Sequence, residues 1–325
     1  MANTLQAALS AACTLTSWGV IKNCYKHISS CRSLGIPLTF PWSRSDSLMF
    51  AAFLGEQGLA ASTISTYCGC LSSLHSALGY AYLRPPTLSR VIKGLSHMNR
   101  DVKTADKRVH VTPQQLAHLR DRVLASSPLA PATRAMCWLA FSWMWHGSLR
   151  VSEVAAPSSR SFSRESTLRG RDIQVKALEG QPGKEYILIT LRDFKHSTKP
   201  AVVELLPTGQ PTCPVRAYRD VFGAGSPDPD SPLVKTAPGR YISSRLLNSI
   251  LTETFKDTLP PGQVIKNHSL RMGIPSLMGS RGYSESQISI QGRWNSDAYR
   301  SYCREGRGLR IKDQLQIFED LFNDS

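Results

Sequence analysis

The chain has 325 residues, 41% of them hydrophobic, which exceeds what one compact core usually holds and is enough apolar material to fold without covalent staples. No apolar run approaches the ~18 residues of a membrane helix, and the N-terminal MANTLQAALSAACTL lacks a basic flank and a clear cleavage site, so a soluble, intracellular protein with no membrane partner is expected. The formal net charge of +15 suits a protein that grips a polyanion.

The first hundred residues read as helices and already carry eight Lys/Arg against Asp46 and Glu56. In LAASTISTYCGCLSSLHSAL, Leu59, Ile64, Tyr67, Leu71, Leu74 and Leu78 recur at helical spacing, with a Ser/Thr cap ahead of Ile64. In LRPPTLSRVIKGLSHMNR the proline pair starts a short helix. Polar DVKTADKRVH, residues 101–110, shows no apolar periodicity and is the expected linker. Thr112-Pro113 then opens an amphipathic helix, PQQLAHLRDRVLASS, followed by a strongly apolar helix over 132–146 whose core is the longest apolar run, Met136–Trp145.

Beyond that helix the period changes from helical to alternating. YILITLRDF and AVVELLP, separated by KHSTKP, form a strand–turn–strand signature. Helical patterns resume at Pro214–Val221 and Ser244–Leu259 and continue through NHSLRMGIPSLMGSRGYSESQISIQGRW. The expected architecture is mainly α with a small antiparallel β-sheet (α+β): a helical domain over 1–100, the linker, and a larger domain over 111–325. The eight cysteines contain no C-x-x-C pair and sit mostly among apolar residues, as reduced core side chains do. No metal site and no cofactor are expected.

Four boxes carry chemistry. HGSLRVSEV places Arg150 directly after the apolar helix; Lys195 lies in the turn between the two strands; NHSLR sets His268 and Arg271 three residues apart; GRW precedes AYRSY, with Trp294, Tyr299 and Tyr302. Metal-free phosphodiester cleavage needs these groups. A phenol can attack and hold the phosphate, and a guanidinium fork matches two non-bridging oxygens. An acid must protonate the leaving oxygen, and another group must manage the nucleophile's proton. Residues three apart share one helix face, so His268 and Arg271 can converge on one anion.

Together the boxes resemble the tyrosine recombinase (phage integrase) family over roughly residues 110–305. HGSLRVSEV is similar to its first-arginine box, RDFKHSTKP to its lysine hairpin, NHSLR to its His-x-x-Arg box and GRWNSDAYRSYCR to its terminal segment. The last two boxes, with CPVRAY at 213–218, most resemble recombinases of eukaryotic mobile elements of the DIRS and Crypton type. The N-terminal helices resemble, more weakly, the family's SAM-like core-binding domain.

The resemblance implies a role for each residue. Tyr302 would be the nucleophile that forms a 3′-phosphotyrosyl bond. Arg150 and Arg271 would clamp the scissile phosphate, and Lys195 would protonate the leaving 5′-oxygen. His268 would act as acid/base, and Trp294, where many members have His, would pack on the phosphate and donate its indole N–H. Tyr299 competes with Tyr302, and Lys199 with Lys195. Glu153 either orients the Arg150 box or is a plain helix-face carboxylate. HGSLR departs from the commoner TGLR form, which leaves the local turn open.

The expected partner is double-stranded DNA, bound by a homo-oligomer, dimer or tetramer, in the nucleus if the host is eukaryotic. The apolar stripe of the tail, LRIKDQLQIFEDLF, closes its own domain or docks on a neighbour. A type IB topoisomerase and a domesticated, non-catalytic DNA-binding protein are the rival readings.

Overall fold

A computed structural model describes residues 15–36, 38, 41–81, 83–98, 108–192 and 200–294. The chain divides into two compact units, 1–106 and 107–325.

The first unit contains four helices among the described residues: α1 (Leu15–Ser33), α2 (Arg44–Glu56), α3 (Ala61–Ala77) and α4 (Pro86–Met98). Ser43 caps α2 with a reciprocal box, its hydroxyl accepting from Asp46 N while Asp46 accepts from Ser43 N at 2.7 Å. The Ser/Thr cap expected for α3 is not used. Ala60 takes the cap position without a side-chain bond, and Ser62 and Thr63 lie inside the first turn. Phe50, Leu54, Ile64 and Leu88 close the core with no exposed surface, and Trp42 meets Phe50 edge-on.

The second unit is built around α6 (Pro131–His146), preceded by α5 (Pro113–Asp121) and followed by the single turn α7 (Val151–Val154). Every residue from Cys137 to Trp145 is buried, as befits a helix that is apolar all round. The polar atoms within that buried stretch find partners: Trp143 Nε1 donates to Pro214 O at 3.1 Å, Trp145 Nε1 to Val111 O at 2.7 Å and Ser142 Oγ to Thr212 O at 2.9 Å. Thr112 caps α5 by a reciprocal box with Gln115, but the helix passes into a π-helical turn at Arg122–Ser126.

The sheet has three antiparallel strands in the order β1 (Ile173–Ala177), β2 (Glu185–Leu191), β3 (Ala201–Leu205). Ile187, Ile189 and Leu191 of β2, opposite Leu205, Val203 and Ala201, supply the core face. β1 goes beyond the sequence reading: its five residues, IQVKA, alternate but are a short run, and none of them is fully buried. Then follow α8 (Pro214–Phe222), a hairpin of β4 (Lys235–Ala237) and β5 (Arg240–Tyr241), α9 (Ser244–Phe255), α10 (Asn267–Arg271), α11 (Gly273–Ser280) and α12 (Glu285–Gly292). α9 stops four residues before its expected end, ahead of Pro260-Pro261, which cannot continue a helix. The end of the expected linker belongs to this unit: Arg108 bridges Val264, and Val109 N donates to Val264 O at 3.1 Å. The mainly helical class with a small antiparallel sheet is as the sequence patterns indicate.

Candidate active site

The site grows from the turn that ends α6. Gly147 has an ordinary φ of −89°, and it is Ser148 that takes the left-handed conformation, at φ 47°. A side chain at Gly147 would meet Leu205 Cδ2 at 3.0 Å and Trp143 O at 3.1 Å, so glycine is favoured there by close packing, not by its backbone angle. The turn delivers Arg150 to the start of α7 in extended conformation.

Glu153 is buried and its carboxylate is shared. Oε2 accepts from Arg150 N at 2.7 Å, and Oε1 accepts from Arg150 Nη1 at 2.7 Å. Oε2 also meets Arg293 Nη2 at 3.2 Å. Of the two readings open for Glu153, a solvated helix-face carboxylate is thereby excluded. The Arg150 side chain keeps 26% of its surface exposed, whereas Arg293 keeps 9%.

Arg271, on α10, is 2% exposed. Its Nη1 donates to Ser148 O and its Nη2 to Gly292 O at 2.5 Å. Its guanidinium carbon lies 5.3 Å from the Trp294 ring centroid, within cation–π range. Trp294 is itself tied to α12, its N donating to Ser289 O at 3.0 Å and its carbonyl accepting from Ser289 Oγ at 2.7 Å. Asn267 anchors α10 by donating Nδ2 to Ser244 O at 2.8 Å. His268, on the same short helix, is partly exposed where Arg271 is buried.

Segments 145 residues apart thus meet at one place. Ser148 O accepts from both Arg271 and Arg293, Gly147 O accepts from Arg293 Nη1 at 2.7 Å, and His146 O from Gln291 Nε2 at 3.2 Å. Two guanidiniums, Arg150 and Arg293, pair with the Glu153 carboxylate, and a third, that of buried Arg271, shares the Ser148 carbonyl with Arg293, so positive charge is in excess here. Such a site stabilises an anion in which charge is building. Burial pulls the Arg293 pKa below the usual arginine value, the Arg150 charge adds to this, and Glu153 opposes both.

The structure therefore brings together Arg150, Arg271 and Trp294 of the residues singled out from sequence, with Glu153. Lys195, Lys199, Tyr299 and Tyr302 lie outside the described residues. Arg192, the last described residue before the segment of Lys195, pairs with buried Asp172 at 2.6 Å. Arg293 of the GRW box carries no role in the sequence reading. Its one sequence signal was a cation next to the Trp that closes that box. Among the described residues, no group of three or more His, Cys, Asp or Glu could hold a metal ion.

No family model and no curated protein matches the sequence. Solved structures do match the fold. A Tn1549 transposon integrase fragment in complex with transposon right end DNA superposes with a TM-score of 0.56 at 14% identity, covering 95% of this chain and 98% of that one. A lambda integrase dimer bound to a COC′ core site gives 0.54 at 13% identity, covering 94% of each chain. The XerH site-specific recombinase bound to palindromic difH substrate gives 0.54 at 16% identity, covering 84% of this chain and 72% of that one. This chain has the tyrosine recombinase fold.

Proposed function

We propose that the protein is a site-specific tyrosine recombinase, cutting and rejoining double-stranded DNA through a 3′-phosphotyrosyl intermediate. The observation that carries this reading is the convergence on Ser148 O of Arg271 and Arg293, beside the Arg150–Glu153 pair. The DNA-bound recombinases that share the fold support it.

In this mechanism the Tyr302 phenol oxygen attacks the scissile phosphorus as its proton passes to a base, with His268 as the acid/base. The phosphorus–oxygen bond to the 5′-carbon breaks, and Lys195 gives the leaving oxygen its proton, producing a free 5′-hydroxyl. Rejoining is the reverse attack by a 5′-hydroxyl, which releases the phenol, so no net energy source is consumed. Arg150 and Arg271 neutralise the non-bridging oxygens, and the Trp294 indole covers the phosphate. Site-specific exchange further calls for a homo-oligomer on DNA, in the nucleus if the host is eukaryotic. By its boxes the protein sits nearest the DIRS and Crypton type of mobile element.

The test uses the full chain and a library of random-sequence duplexes, each nicked so that a short strand is lost after cleavage. Protein–DNA adducts that resist detergent, recovered and sequenced, give the target site and establish the chemistry. Absence of any adduct while the protein binds duplex DNA supports the domesticated, non-catalytic alternative. Adducts and relaxation of supercoiled plasmid without joining of two sites would make it a topoisomerase.

A further inference from the structure

Arg293 ends α12 at φ 54°, in the left-handed region, where a helix terminus favours glycine. A bulky residue keeps such a conformation when its surroundings over-determine it. Here they do: Nη1 donates to Gly147 O at 2.7 Å, Nη2 donates to Ser148 O at 3.1 Å, and Nη2 pairs with Glu153 Oε2 at 3.2 Å. Two of the acceptors belong to the turn that presents Arg150 and the third to α7 directly after it, and that turn contains the second left-handed residue, Ser148. The residue after Arg293 is Trp294, whose ring faces Arg271.

We infer that Arg293 is a positioning residue: its guanidinium bolts the Arg150 turn to the end of α12, and so fixes Arg150, Glu153 and Trp294 relative to one another. It touches none of the reacting atoms. It completes the coordination of Glu153, which then holds Arg150 from backbone and side chain at once. A guanidinium suits this task and an ammonium does not, because three acceptors lie around a planar fork. The rate consequence rests on the recombinase reading; the clamp itself does not.

The experiment compares full-length wild type with Arg293→Gly and Arg293→Lys. Glycine relieves the backbone strain while deleting the clamp, which offsets part of the lost stability; lysine keeps a charge opposite Glu153 should the glycine variant fail to fold. Hydrogen exchange at the amides of residues 147–153 reads the clamp without DNA. Exchange at Arg150 N should accelerate in Arg293→Gly, with lysine intermediate.

Single-turnover adduct formation on the recovered target duplex reads the consequence. At saturating DNA the rate in Arg293→Gly should fall ~10–10²-fold, the scale of a small misplacement of catalytic groups, with DNA affinity unchanged. Added guanidinium ion below denaturing concentration should restore part of that rate and leave Arg293→Lys unaffected. Wild-type rates in both variants, or rates that fall only with folded fraction, overturn the inference. If wild type yields no adduct, the recombinase reading fails instead, and exchange at Arg150 N alone decides whether the clamp exists.

Discussion

The indole of Trp145 crosses directly over Gly273: a Cβ at Gly273 would stand 2.0 Å from Trp145 Nε1, the atom that donates to Val111 O at 2.7 Å. This crossing joins the end of α6, which delivers Arg150, to the start of α11, which follows Arg271. Gly273→Ala should therefore destabilise the chain by about 2–4 kcal/mol, through overpacking and loss of a buried hydrogen bond. Denaturant unfolding measures it. The penalty should shrink in a Trp145→Phe background, whose smaller ring leaves room for the methyl; an unchanged penalty there would locate the strain elsewhere.

His146 gives the stability a defined pH dependence. Its ring lies against Trp145, with Nδ1 2.9 Å from Ser142 O, and burial pushes its pKa from 6.5 down to about 4, despite the opposing Ser142 bond. The unfolded chain therefore binds the proton first as pH falls. The contribution of a neutral, partly buried His146 is complete above pH ~6.5, declines through the window and levels off near pH ~4, with at most ~3 kcal/mol at stake. Unfolding free energy against pH should slope upward over this window in wild type, and His146→Phe should flatten the slope. Parallel curves would mean that His146 does not titrate on unfolding.

Much of this was legible, and what was not has a common cause. The α6 core followed from its apolar run, broken only by Ser142, and β2 and β3 from alternation. The boxes of Arg150 and Arg271 stood out because chemistry needs those residue types at short spacing. Arg293 went unassigned because its partners Gly147, Ser148 and Glu153 are 140 or more residues away. The left-handed Ser148 was hidden beside a glycine that attracts the expectation of a positive φ, and β1, although Ile173, Val175 and Ala177 alternate with polar residues, is only five residues long. Local patterns reveal elements; contacts between distant turns do not write themselves into spacing.

The nucleophile can be told from its neighbour by substitution. Tyr302→Phe should abolish adduct formation while DNA affinity stays nearly intact, because the phenol oxygen makes the bond and many phosphate contacts make the affinity. Tyr299→Phe should retain the adduct. The reverse pattern would assign the attack to Tyr299.

Adduct formation should also persist in excess EDTA. Where Arg150 and Arg271 supply the positive charge at the phosphate, no divalent ion has to provide it. Strict dependence of cleavage on magnesium would remove the basis for giving the two arginines that role.

Arg150→Lys separates catalysis from architecture most sharply. Lysine keeps the charge and can still reach Glu153, now 2.7 Å from Arg150 Nη1. The backbone bond from residue 150 to Glu153 Oε2 also remains available, so the fold should lose little. What lysine cannot do is hold two non-bridging oxygens in one plane, as in-line attack requires. Loss of one preorganised donor to a developing oxyanion typically costs ~10²–10³-fold in rate, whereas loss of one phosphate contact among many changes affinity slightly and leaves the salt dependence steep. A purely structural Arg150 gives the opposite signature: a lower melting temperature, with cleavage per folded molecule unchanged. Melting temperature, DNA affinity and single-turnover cleavage measured on one preparation distinguish the two, and cleavage that falls only with folded fraction would remove Arg150 from the catalytic groups.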